Sequence, residues 1–241
     1  MKKYILLFIS ALVLLGLCAC NVEDAEESLP AAPLEREEIA SVEETEESLP
    51  SVPMEAEEIA EVEEAFYVAL TVDGEMRINP ANCFLTSYYE SVDKMDLQAF
   101  LRYFPGSEQG SEAELEALRN YKDWPFSDCK KLSDMPVPLH RYRADTVRAA
   151  LEKYGNINLE ELDIENAPGV YYLKEYDAFY NYTSDFGLFP LECVRGEKQG
   201  DRLFLYSEEY GDYPDKIVVR LTLEKLGDNY IVISRMPVES E

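Results

Sequence analysis

The chain has 241 residues, with 49 acidic against 22 basic side chains and a formal net charge of −27. That imbalance excludes a nucleic-acid binder, because phosphate contacts need a basic face. One histidine excludes a multi-histidine metal site, while 17 tyrosines and 10 phenylalanines supply ample apolar surface for a core.

Met1-Lys2-Lys3 precedes an apolar run from Tyr4 to Ala19, interrupted only by Ser10 and Gly16. Two positive charges before a short apolar stretch form a secretory signal. The run is shorter than the about 20 residues that a comfortable membrane span needs. It ends Leu17-Cys18-Ala19-Cys20, which resembles the bacterial lipobox: an aliphatic residue and two small ones before a cysteine. Cys18 is not itself the anchor, because Leu17 is too large for the small-residue position before it. The reading is a lipoprotein signal peptide over 1–19, with Cys20 as the lipidated residue. Two acyl chains make a stable anchor. The expected location is the outer face of the plasma membrane.

An acidic stretch follows, to Ala65. Glu26 to Thr45 reads EESLPAAPLEREEIASVEET, and Glu46 to Ala65 reads EESLPSVPMEAEEIAEVEEA; the copies agree at 14 of 20 positions. Two units without aromatics cannot build a solenoid core. High charge and paired prolines predict a disordered tether over 20–65. The block after each second proline has the makings of a short helix, which would be marginal alone. Forty-five residues (21–65) reach at most ~150 Å at about 3.3 Å each. Self-repulsion favours the extended end of that range.

Residues 66–241 have the size of one domain. Tyr67 to Val72 and Glu75 to Ile78, with Asp73-Gly74 between them, predict a hairpin. Leu97, Phe100, Leu101 and Phe104 mark one helix face, capped by Asp96. Ser111 and Glu114 form a capping box before a second helix. Val147, Ala150, Leu151 and Tyr154 mark a third, from Asp145 to Gly155, and Asn158 with Glu161 suggests one more turn. From Val170 the period becomes two. Val170 to Leu173, Tyr176 to Tyr182, Leu191 to Arg195, Arg202 to Ser207, Lys216 to Lys225 and Tyr230 to Met236 read as strands of one antiparallel meander. Gly196 to Asp201 and Gly227 to Asn229 read as its turns. The expected class is α+β, with helices on one sheet face. A curved sheet of NTF2-like or cystatin-like kind is the favoured form.

Asn79-Pro80-Ala81-Asn82-Cys83-Phe84, Asp96-Leu97-Gln98-Ala99-Phe100-Leu101, Met135-Pro136-Val137-Pro138-Leu139-His140 and Tyr176-Asp177-Ala178-Phe179-Tyr180-Asn181 together resemble uncharacterised lipoproteins of Gram-positive (Firmicutes-type) gut bacteria. The resemblance spans roughly 79–236. It implies a location and a shared domain, and carries over no activity or functional residue.

The chain lacks GxSxG, a Walker loop, a dinucleotide fingerprint and HExxH. Cys83, Cys129 and Cys193 are too widely spaced for a zinc site. An odd number leaves at least one unpaired, and one disulfide, such as Cys83 with Cys129, is compatible with the location. Glu208, Glu209, Asp212 and Asp215 read as a solvated acidic loop. Tyr180, Tyr182, Asp177 and Asp185, with Trp124, His140 and Arg141, are the best candidates for a ligand site. Aromatics beside Asp and Asn are the materials of sugar or peptide recognition. Core packing, with hydroxyls at the rim, is the competing account. No catalytic residue, metal or cofactor is expected. The function expected is a non-catalytic binding module at the cell surface. It would meet a cell-wall component, a peptide or a surface protein. A carboxylate-dependent hydrolase acting on cell-wall material, or an inhibitor or regulator of a surface enzyme, is the alternative.

Overall fold

From Leu49 onward, the second acidic repeat belongs to the folded part of the protein. The computed structural model describes residues 49–182, 187, 190–210 and 216–238. The signal segment, Cys20, the first repeat and Asp185 lie outside them. Within the second repeat, β1 (Val52–Pro53) pairs antiparallel with residues 197–198, and α1 (Ala56–Ala65) follows. The expected tether, drawn to Ala65, is therefore too long. Ile59, Val62 and Phe66 fall at i, i+3 and i+7, one face of a helix. Val62 and Phe66 are almost wholly buried. The glutamates between them occupy the remaining faces, and Glu58 accepts from the Glu55 amide at 3.0 Å at the helix start. Three apolar side chains at helical spacing outweigh a composition that otherwise looks disordered.

The chain continues with the hairpin β2 (Ala69–Val72) and β3 (Glu75–Ile78). Asp73 and Gly74 both have positive φ, 53° and 81°, as a tight hairpin turn demands. A 3-10 turn, Pro80–Leu85, precedes α2 (Leu97–Arg102), whose cap Asp96 accepts from the Ala99 amide at 3.0 Å. Then come β4 (Glu108–Gln109), α3 (Glu112–Leu118), β5 (His140–Arg143) and α4 (Ala144–Gly155). Asp145 sits in the first turn of α4, and Asn156, at φ 47°, ends it. Six strands follow among the described residues: β6 (Tyr171–Leu173), β7 (Ala178–Asn181), β8 (Cys193–Gln199), β9 (Arg202–Tyr210), β10 (Lys216–Leu226) and β11 (Asn229–Val238).

The α+β class and the C-terminal antiparallel meander are as expected, but the strands divide between sheets. The large sheet has the order β1-β8-β9-β10-β11, and β6 and β7 belong to a second one, β4-β5-β7-β6. The expected turn at Gly196 is strand instead. A Cβ at Gly196 would stand 2.9 Å from Met54 Sδ and 3.1 Å from Ile59. That glycine marks close approach of β1 and α1 to β8, not a change of direction.

The small sheet separates two apolar clusters. Tyr142 and Phe179 face the larger one, with Val62, Phe84, Phe100, Val147, Leu151, Leu205, Leu221 and Leu223. Tyr171, Leu173, Ala178 and Tyr180 face the smaller, with Leu115 and Leu118 of α3 and with Trp124. Alternation along β6 and β7 therefore buries both faces. In β10 the alternation puts Val219, Leu221 and Leu223 on one face, and all three are buried. The opposite face is less wet than its polarity suggests. Arg195 stacks 3.4 Å over the Tyr206 ring, and Thr222 is buried.

Candidate functional site

Two arginines of this acidic protein are drawn inward, each against a glutamate and a tyrosine. Arg141 lies on β5. Its Nε donates to Glu114 Oε1 at 2.8 Å, and an Nη donates to Glu108 at 2.6 Å. Glu114 is the capping-box residue of α3, and its carboxylate is nearly sealed. It also accepts from the Tyr180 hydroxyl at 2.7 Å and from the Ser111 amide and hydroxyl, each at 2.7 Å. Burial alone would raise its pKa. The hydrogen bonds from Tyr180 and Ser111, with the Arg141 charge, outweigh burial and hold it below the ordinary carboxylate value. Burial and the Glu114 charge push the Tyr180 phenol well up. The carboxylate is fully engaged inside the protein, so this cluster is a strut.

Among the residues expected to form a site, Arg141 and Tyr180 thus meet, on a glutamate read from the sequence only as a cap. Trp124 and Tyr182 meet elsewhere, edge-to-face at 5.5 Å, with Tyr171 4.7 Å and Phe126 5.8 Å from the indole. Trp124 is 4 % exposed and presents no platform to solvent. Asp177 takes φ 43° in the turn before β7, where Arg148 holds it at 3.2 Å and the Tyr172 hydroxyl donates at 2.7 Å. Those two partners lower its pKa. His140 lies on the face of β5 opposite Arg141, since neighbours in a strand point apart. These residues do not converge on one concavity, and Asp185 falls outside the described residues.

The concavity lies instead around the second arginine. A cleft of about 910 Å³ opens between residues 85–88, α2, residues 190–192 and the end of β9. Arg235 of β11 forms its floor, with a side chain only 8 % exposed. Its backbone exchanges hydrogen bonds with Tyr89 at 2.7 and 2.9 Å, fixing the strand against the segment that carries Ser87 and Tyr88. Its guanidinium pairs with Glu209, donates to the Ser87 carbonyl at 3.1 Å and lies 4.7 Å from the Tyr88 ring centre. Glu209 accepts further from the Tyr88 and Ser207 hydroxyls, each at 3.1 Å. Burial and the Glu209 charge raise the Tyr88 phenol. Tyr103 and Arg102 of α2 stand on one wall. Ser87 Oγ is buried without a hydrogen-bond partner.

The acidic-loop reading of Glu208 and Glu209 is corrected. Both lie on β9, on opposite faces, with Glu208 2.8 Å from Lys216. Asp212 and Asp215 fall outside the described residues. A sequence signal for the site existed: Arg235 is a lone charge within the apolar run Ile231 to Met236. Tyr88 and Ser87 carry no such signal.

Cys83, Cys129 and Cys193 are all unpaired, and burial pushes the Cys83 and Cys193 thiols up to about 12. Among the described residues, no cysteine or histidine lines the cleft. Among the described residues, no cluster of His, Cys, Asp and Glu is placed to hold a metal ion. Nor is any described helix long and apolar enough to cross a membrane. No protein-family model, curated protein or solved structure matches this chain.

Proposed function

We propose that the protein is a lipid-anchored, extracytoplasmic binding module that works without catalysis at the cell surface. The observation that carries this reading is the engagement of Glu209 in the cleft floor. Its oxygens are taken up by Arg235, Tyr88 and Ser207. A hydrolytic site needs a carboxylate poised toward substrate, or a nucleophile with a base beside it. Glu209, the base that Ser207 contacts among the described residues, is already held by an arginine. The cleft offers tyrosine faces and hydrogen-bonding groups over a neutralised floor, which are means of recognition. The N-terminal signal and Cys20 support the location, and the excess negative charge supports a partner other than nucleic acid.

The test is calorimetric titration of the full-length protein with soluble cell-wall fragments, alongside chromatography of the mixture. Saturable binding that Tyr88→Ala weakens at least about tenfold, with fragments recovered intact, is the expected result. Cleavage products that disappear in Glu209→Gln would establish the hydrolase instead.

A further inference from the structure

The second repeat occupies a seat built by β8, and the first repeat carries the side chains that seat engages. Pro53 and Val52 pair with β8, and the Met54 amide donates to the Gly196 carbonyl at 3.0 Å. Met54 and Ile59 press on Gly196, where any side chain would collide with them. Val62 enters the core. Lys198 donates to Glu58 at 2.6 Å, and the Cys193 amide donates to Glu63 at 2.7 Å. Twenty residues upstream, Pro33, Leu34, Ile39, Val42, Glu38 and Glu43 stand at the matching positions. Only Met54 to Leu34 is a change among these six, and it nearly conserves volume. Of the remaining five differences between the copies, four fall on exposed side chains of the seated one, at Ser51, Val52, Ala56 and Glu61.

We infer that the β8 seat accepts either repeat, so that the chain has two registers. Seating the first copy ejects residues 46–65 as a loop whose ends, Thr45 and Phe66, meet where Ala65 and Phe66 now join. Closure entropy grows only slowly with loop length, so a 20-residue loop does not forbid the exchange. Phe66 stays attached to the core in both registers. The described register is favoured by the lack of that loop. With the lipid anchor proposed above, 28 residues (21–48) separate Cys20 from the seated copy in one register and 8 (21–28) in the other. At about 3.3 Å per residue these reach ~90 Å and ~25 Å, two working heights above the membrane. The exchange itself does not depend on the anchor.

Disulfide trapping in the detergent-solubilised full-length protein tests it. Val52 and Lys198 are directly opposed across the strands, a spacing a disulfide can bridge. Val52→Cys with Lys198→Cys reports the described register, and Ala32→Cys with Lys198→Cys reports the other; both remove the same lysine. The second pair should link in a minor fraction, rising several-fold when Val62→Asp weakens the resident copy, and vanishing when Val42→Asp is added. No such link in a Val62→Asp chain that retains its circular dichroism overturns the inference, as does a link found only between two molecules. Melting temperatures give an independent reading should trapping be hampered by misfolding. Val42→Asp added to Val62→Asp should lower the melting temperature by a further 10 °C or about that much; equal melting of the single and double variants overturns the exchange. Cys20→Ala leaves both readings unchanged, so loss of the anchor and loss of the exchange are told apart.

Discussion

The Arg141–Glu114 and Arg235–Glu209 clusters are built from the same parts and stand in different surroundings. Each joins an inward arginine, a glutamate, a serine and a tyrosine hydroxyl. The first lies under α3 with its carboxylate 6 % exposed; in the second the carboxylate is 28 % exposed and faces the cleft. Polar networks sealed from water are expensive to interrupt, while those at a cleft floor keep solvent as a substitute partner. The lesson is that residue type does not separate strut from site. Access does.

The largest effect expected is on the sealed cluster. Glu114→Ala strands the Tyr180 hydroxyl and leaves Arg141 only Glu108 and the Tyr176 carbonyl, and should cost about 3 kcal/mol in urea unfolding. Arg235→Met keeps the volume and should cost less, about 1–3 kcal/mol, since Glu209 retains Tyr88, Ser207 and water. It should nevertheless abolish ligand binding in the cleft, so stability and binding should part company between the two variants. Equal losses of stability would erase the distinction.

Acid sharpens the comparison further. Glu114 has a folded pKa below its ordinary value near 4.5, so its contribution is complete above that value and fades as pH falls through the lowered folded pKa. Stability should therefore fall with acid below about pH 4.5, and Glu114→Gln should flatten that limb relative to the parent. A parallel fall in both proteins would show that other carboxylates dominate. The smallest effect belongs to Tyr180→Phe, which removes a single hydrogen bond to Glu114 and should cost about 1–2 kcal/mol by urea unfolding.

Local signals were readable where local chemistry decides. Asp73-Gly74 announced a hairpin, Ser111 with Glu114 a cap, and the alternation of β10 its buried face. Partition of strands between sheets was not readable, because β7 and β8 both alternate and nothing in either names its partner. Gly196 shows why: a glycine for a turn and a glycine for a close neighbour look alike in the chain. The docking of α1, a segment with the makings of a helix, was hidden for a related reason. Its many glutamates dominate any average, while three apolar side chains at one spacing decide the outcome. Of the residues expected to bind a ligand, Tyr180 and Arg141 meet on Glu114, whose sequence signature is that of a helix cap, so a cap and a network hub look alike in the chain. The cleft was missed because Ser87, Tyr88, Ser207 and Glu209 come together only through the pairing of Tyr89 with Arg235.

The pairing of β1 with β8 has a kinetic consequence. Ser51 and Glu197, hydrogen-bonded beside that junction, lie 146 residues apart. Contacts so distant along the chain form late, because they must wait for intervening segments to order. A polypeptide made from its N-terminus exposes both acidic repeats long before β8 exists. The meander then closes as an open-edged sheet, and its β8 edge stays open until β1 docks. In the described register that edge is closed by β1, which the chain made long before its partner.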